Sequence, residues 1–210
     1  MATDVSAEPL GVLYPEVVTL HLPSKGDSIS DQEFLRLCEL NDPLNFERNS
    51  DGSVSVMTPS GAEAGGQNFE IAGQLRNWAK KDRKGKGFDS NSLFKLPNNA
   101  IRCPDASWIL LERWNAVPRD ERKGAAPIVP DFVIELKSPS DRMAQLRKKM
   151  REYIEVGVRL GWLIDPDAKV VEIYRPGAEV EILNNPEFVS GDPELAGFEL
   201  ALAEIWSEEG

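Results

Sequence analysis

Two residues of opposite charge sit inside the most apolar strand-like segment of this chain. Pro130-Asp131-Phe132-Val133-Ile134-Glu135-Leu136-Lys137-Ser138-Pro139 has a β-branched middle closed by a proline at each end, the pattern of a buried strand. Side chains alternate along a strand, so Glu135 and Lys137 share a face, with Cα atoms about 6.5 Å apart. An unpartnered buried charge is costly, so the pair needs a reason to be there. A divalent-cation site is one reason: the carboxylate holds Mg²⁺, and the lysine neutralises charge or positions a water beside it. A cross-strand ion pair at a sheet edge is another. The same acid-x-Lys spacing recurs at Asp82/Lys84, Glu121/Lys123 and Asp167/Lys169, in polar segments where a solvated ion pair is the ordinary reading. Only Glu135/Lys137 lies within an apolar strand.

A second carboxylate lies upstream, in Cys103-Pro104-Asp105-Ala106-Ser107-Trp108-Ile109-Leu110-Leu111. Pro104 cannot donate a ladder hydrogen bond, so it marks the strand start and holds Asp105 near the sheet rim. Asp131 shares the face of Glu135, but four residues of strand separate them by about 13 Å. That is too far for one Mg²⁺ with bonds of about 2.1 Å, so Asp131 reads as structural or as an outer group. Lys149 is a substitute for Lys137 as the site's cation: it borders an apolar helix stripe, one turn before Tyr153. Its alternative is a solvated lysine within a basic run.

The elements that must position these groups follow from periodicity and punctuation. Residues 1–26 read as an extended leader, and 27–210 as one domain. Ser30-Asp31-Gln32-Glu33 is a capping box opening a helix with Phe34, Leu37 and Cys38 on its apolar face. Phe46-Glu47 and Val54–Met57 flank a turn at Asn49–Gly52 and form a hairpin. Ser60 to Glu63 is a second capping-box pattern, leading into a helix with Phe69, Ala72, Leu75 and Trp78, broken near Lys84–Gly87. Strands are expected near 93–96, 105–112 and 131–137, with a long polar connection over 113–130. Ser140 to Val156 is a helix with the stripe Met143, Leu146, Met150, Tyr153 and Ile154, ended by Gly157. Leu160–Ile164 and Val170–Tyr174 form another hairpin, and short strands follow near 179–183 and 197–202. The fold class is α/β, a mixed sheet with flanking helices.

Composition excludes several alternatives. Cys38 and Cys103 are too few for a disulfide framework or a thiolate zinc site. The single histidine, His21, removes a Ser-His-Asp triad and any multi-histidine metal centre. No apolar run approaches the ~20 residues that span a bilayer, and a cytoplasmic location is expected. Net charge is −11, awkward for a protein that meets phosphates. The acid is uneven, however: residues 171–210 hold ten Asp/Glu and one Arg, leaving a net of −2 for the rest. Basic clusters remain at Lys80, Lys81, Arg83, Lys84 and Lys86, and at Arg142, Arg147, Lys148, Lys149 and Arg151.

A Pro-Asp at one strand end, then Glu-x-Lys on a later strand, resembles the PD-(D/E)xK nuclease superfamily. From about Ser30 to Leu202 the chain resembles a bacterial family of restriction-endonuclease-like proteins whose function is unknown. The matching pieces are Thr58–Glu63, Gly87–Ser90, Leu96-Pro97, Arg102–Asp105, Pro130–Glu135, Ser138–Asp141, Lys149 with Tyr153, and Gly161–Pro166. The resemblance implies a restriction-endonuclease-like core and a Mg²⁺-dependent endonuclease (Mn²⁺ as a substitute ion) acting on DNA. Asp105 and Glu135 would be metal ligands and Lys137 catalytic, with Lys149 and Glu63 as further candidates. Glu63 fits because related nucleases often lend an acid from the first helix; as a capping-box residue it would instead bond the backbone of Ser60. A homodimer that cuts both strands is a further implication. The rival reading is a non-catalytic module that keeps the fold to bind a protein or nucleic acid.

Overall fold

The computed structural model describes residues 17–20, 29–41, 44–57 and 61–206; His21 and Ser60 lie outside them. Strand β1 (Val17–Leu20), within the stretch expected to be a leader, pairs antiparallel with β3. Helix α1 (Asp31–Leu40) is opened by a complete Ser30/Glu33 capping box and buries Phe34. Strands β2 (Asn45–Arg48) and β3 (Val54–Met57) form the expected hairpin. Helix α2 (Ala62–Asp82) starts from Gly61 and ends on Arg83 in the left-handed region.

Helix α2 corrects one expectation. It buries Gln67, Ile71, Leu75 and Ala79, and leaves Phe69 79 % exposed. The face that docks is thus rotated from the Phe69/Ala72/Leu75/Trp78 stripe. The segment expected only to break this helix becomes an edge strand, β4 (Gly85–Asp89). Short strands β5 (Phe94–Lys95) and β6 (Ile101–Arg102) precede β7 (Ala106–Leu110), and α3 (Leu111–Ala116) takes the end of the strand expected near 105–112 and the start of the polar connection expected over 113–130.

Strand β8 (Phe132–Leu136) is buried at every position. Helix α4 (Met143–Glu155) follows, then β9 (Leu160–Asp165) and β10 (Val170–Tyr174). The chain closes with β11 (Glu181–Asn184), β12 (Phe188–Ser190) and β13 (Glu199–Ala201).

The central sheet runs β11-β10-β9-β8-β7-β4, with β8 and β9 parallel and the other pairs antiparallel. Two parallel neighbours cannot be joined by a tight turn, so α4 is the crossover between them and lies over the sheet. Alternation along β8 sends Phe132, Ile134 and Leu136 into a core shared with Ile71 and Leu75 of α2 and with Val189 and Leu200 of the terminal hairpin. Val133 faces the other core, with Leu146, Met150 and Tyr153 of α4 and with Leu163. Trp108 and Trp162 belong to the first core. The second sheet, β1-β3-β2-β6-β5, packs Phe46, Val54 and Ile101 against Phe34 of α1. No helix among the described residues is long and apolar enough to cross a membrane.

Candidate active site

Strands β7 and β8 pair with Ala106 opposite Ile134, and one further step of that register sets Asp105 opposite Glu135. Asp105 is anchored at both oxygens: Leu136 N–H donates to Oδ2 across 2.7 Å, and Asn68 Nδ2 of α2 donates to Oδ1 across 2.9 Å. The Asn68 Oδ1 beside it is buried and has no hydrogen-bond partner among the described residues.

Glu135 is 4 % exposed and points to the α4 side of the sheet, as its place between Ile134 and Leu136 requires. Lys149 Nζ donates to its Oε2 and the Tyr153 hydroxyl to its Oε1, each across 2.9 Å. Residues four apart on a helix stack on one face, so α4 presents both donors together.

A third carboxylate comes from the other sheet. Glu47 on β2 lies on the opposite side of its strand from Phe46 and is buried. Its Oε1 lies 2.9 Å from Lys149 Nζ and accepts from Cys103 N–H across 2.8 Å. Its Oε2 is 3.2 Å from Arg102 Nη1, and Arg102 also grips Glu152 of α4. Lys149 therefore sits between two buried carboxylates from two sheets.

The charges in this cluster do not balance. Among the described residues, Asp105, Glu135, Glu47 and Glu152 meet two cations, Lys149 and Arg102. Burial, reinforced by Asp105 and Glu47 and opposed by Lys149, pushes the Glu135 carboxyl up to about 8. Burial also raises Asp105, against the pull of Asn68 and Leu136 N–H. For Glu47 burial is outweighed by Lys149 and Arg102, which hold its pKa below the usual value. Burial alone would lower Lys149, but Glu135 and Glu47 overcome it and keep the ammonium protonated.

The sequence candidates thus separate. Asp105, Glu135 and Lys149 come together. Lys137 turns away: the backbone register puts it beside β9, where its Nζ lies 3.4 Å from Asp165 and 3.5 Å from Asp167. Glu63 is exposed in the first turn of α2 and is not part of the cluster. Asp131 is held at the opposite end of β8 by Leu110 N–H at 2.9 Å and Arg113 at 2.7 Å. A surface cavity of about 380 Å³ lined by Arg113, Val117 and Ile128 lies toward that other end. Local sequence gives Glu47, Arg102, Asn68 and Tyr153 no site role, although Arg102 and Tyr153 lie in the segments that carry the family resemblance. The one available signal for Glu47 was a carboxylate beside Phe46 in a hairpin strand.

Among the described residues no three His, Cys, Asp or Glu side chains converge as a complete metal cage. Two carboxylates at adjacent strand ends still suit Mg²⁺, which keeps several waters and takes one or two protein carboxylates together with substrate phosphate. The local excess of negative charge and the orphaned Asn68 Oδ1 fit the same ion and its waters.

Residues 31–203 match the Uma2 family, described as putative restriction endonuclease. Five solved chains are similar. One is a putative nuclease belonging to DUF820 from Anabaena variabilis, 26 % identical, covering 85 % of this chain and 97 % of its own, with a TM-score of 0.69. No curated protein gives a significant match.

Proposed function

Because the chain belongs to the Uma2 family of putative restriction endonucleases, we propose that it is a Mg²⁺-dependent phosphodiesterase that hydrolyses DNA. The observation that carries this reading is the pair of anchored carboxylates, Asp105 and Glu135, with a half-buried lysine beside them. Asp105 and Glu135 are the residues that would hold the ion, Mg²⁺ or Mn²⁺. Bound there, it would polarise the scissile phosphate and acidify an attacking water.

The chain's own groups do the rest. Lys149, kept cationic by carboxylates on two sides, stabilises charge gathering on the phosphoryl oxygens and does not serve as the base. Tyr153 orients Glu135, and Asn68 with Leu136 N–H orients Asp105. The water oxygen bonds to phosphorus, its proton passing to solvent, as the bond from phosphorus to the leaving sugar oxygen breaks; that oxygen departs with the bonding pair and takes a proton from solvent. Arg142, which caps α4, and Lys148 and Arg151 on it, all exposed, supply cations for the flanking phosphates. Cutting both strands of a duplex needs two such sites, which a homodimer would provide.

The rival, a binding module without catalysis, draws on one observation: both oxygens of Glu135 are already engaged within the chain. Titration calorimetry with Mn²⁺, paired with cleavage assays on duplex, single-stranded and branched DNA, separates the two. We expect one metal site and metal-dependent cleavage, both absent in Glu135→Ala. An unmodified protein that binds no metal sinks the nuclease reading.

A further inference from the structure

The ammonium of Lys149 lies 2.9 Å from Glu135 Oε2 and 2.9 Å from Glu47 Oε1. Glu47 is itself fixed, by Cys103 N–H on the oxygen that meets the lysine and by Arg102 on the other. Arg102 is in turn tied to Glu152, three residues beyond Lys149 on the same helix, at 2.6 Å. A lone Glu135–Lys149 pair would be a closed ion pair, and an arriving cation would have to strip the lysine of its only carboxylate. With Glu47 present, the lysine keeps a buried anionic partner when Glu135 is taken.

We propose that Glu47, on the second sheet, is a positioning residue that retains Lys149 while a divalent cation takes over Glu135. This rests on the metal-dependent reading above and adds to it a function for the smaller sheet. Through β2 and β6, that sheet supplies the anchor of the site's lysine. Loss of the Glu47 charge leaves Lys149 wholly committed to Glu135, so the lysine competes with the metal instead of standing beside it.

Removing any nearby negative charge weakens cation binding, so a single variant is not decisive. A double-mutant cycle is. Mn²⁺ affinity is measured by calorimetry in wild type, Glu47→Gln, Lys149→Met and the double variant, each first shown folded by a cooperative thermal transition. Groups that support a metal ligand from behind typically change affinity by about 10- to 100-fold. We expect about a tenfold loss in Glu47→Gln when Lys149 is present, and little further loss from the same change in the Lys149→Met background. Glu47→Asp, which keeps the charge, should fall between Glu47→Gln and wild type. If Lys149→Met does not fold, Lys149→Gln, which still donates to Glu135, replaces it in the cycle. Equal losses in both backgrounds, or wild-type affinity in Glu47→Gln, overturn the proposal. Wild-type protein that binds no Mn²⁺ overturns the nuclease reading instead.

Discussion

Lys149 donates to Glu135 across 2.9 Å, although Lys137 is far nearer in sequence and begins from the same face of the strand. In the proposed site, the pairing moves the cation from the strand to the helix. It also makes the two lysines experimentally distinguishable.

Lys137→Met should leave cleavage within a few-fold of wild type, since its contacts are Asp165 and Asp167. Lys149→Met should lower cleavage by about 10²–10³, the usual loss for one preorganised charge-stabilising donor. It should also destabilise the fold by about 3–5 kcal/mol, because the buried Glu135 loses the ammonium that faces it and Glu47 keeps Arg102 but loses Lys149. Chemical denaturation with single-turnover cleavage reads both effects. Reversed outcomes for the two lysines would return the role to the strand.

Glu135→Gln removes one of four crowded carboxylates while keeping a group that can still meet Lys149 and Tyr153. It should retain a cooperative melt, lose cleavage, and lose the rise in melting temperature that Mg²⁺ is expected to produce in wild type. Asp131→Asn, at the other end of β8, should keep that rise. It should cost about 1–3 kcal/mol through its buried contacts to Leu110 N–H and Arg113. An exchange of these behaviours places the metal at the Asp131 end.

The raised Glu135 carboxyl dictates how metal-free stability depends on pH. Between the ordinary value of 4.5 and its folded value of about 8, the folded chain holds a proton that the unfolded chain has released. Stability must therefore fall as pH rises through that window and level off above it. Asp105, also raised, acts in the same direction. Urea titrations at pH 5 and pH 8.5 without metal should show the decline, and Glu135→Gln should flatten it. Stability that rises with pH across this range in wild type contradicts the assignment.

Gly85 tests the architecture. A Cβ there would collide with the Trp108 ring, whose position is set by the core between β7 and α2. Gly85→Ala should cost about 1–3 kcal/mol as an overpacking change, read as a lowered denaturation midpoint with an unchanged slope. An unchanged midpoint means β4 sits farther from the indole.

The sequence by itself determined the groups that depend on local order. A β-branched run between prolines makes β8 a buried strand wherever it is placed, and alternation then commits Glu135 to the face opposite Ile134. The stripe Leu146, Met150 and Tyr153 sets the phase of α4 in the same way, leaving Arg147, Lys148 and Arg151 outward. Tertiary structure decided what local order leaves open. The apolar residues of α2 allow more than one docking face, and the sheet selected Ile71, Leu75 and Ala79 over Phe69. Lys137 and Lys149 both had a route to Glu135. The parallel β8–β9 pairing drew Lys137 beside Asp165 and required α4 to cross over the sheet, which delivered Lys149 instead. Glu47 became part of the site only when the second sheet packed its polar side against that helix. Contacts between distant segments are set by the packing of whole elements, and no residue's immediate neighbours encode them.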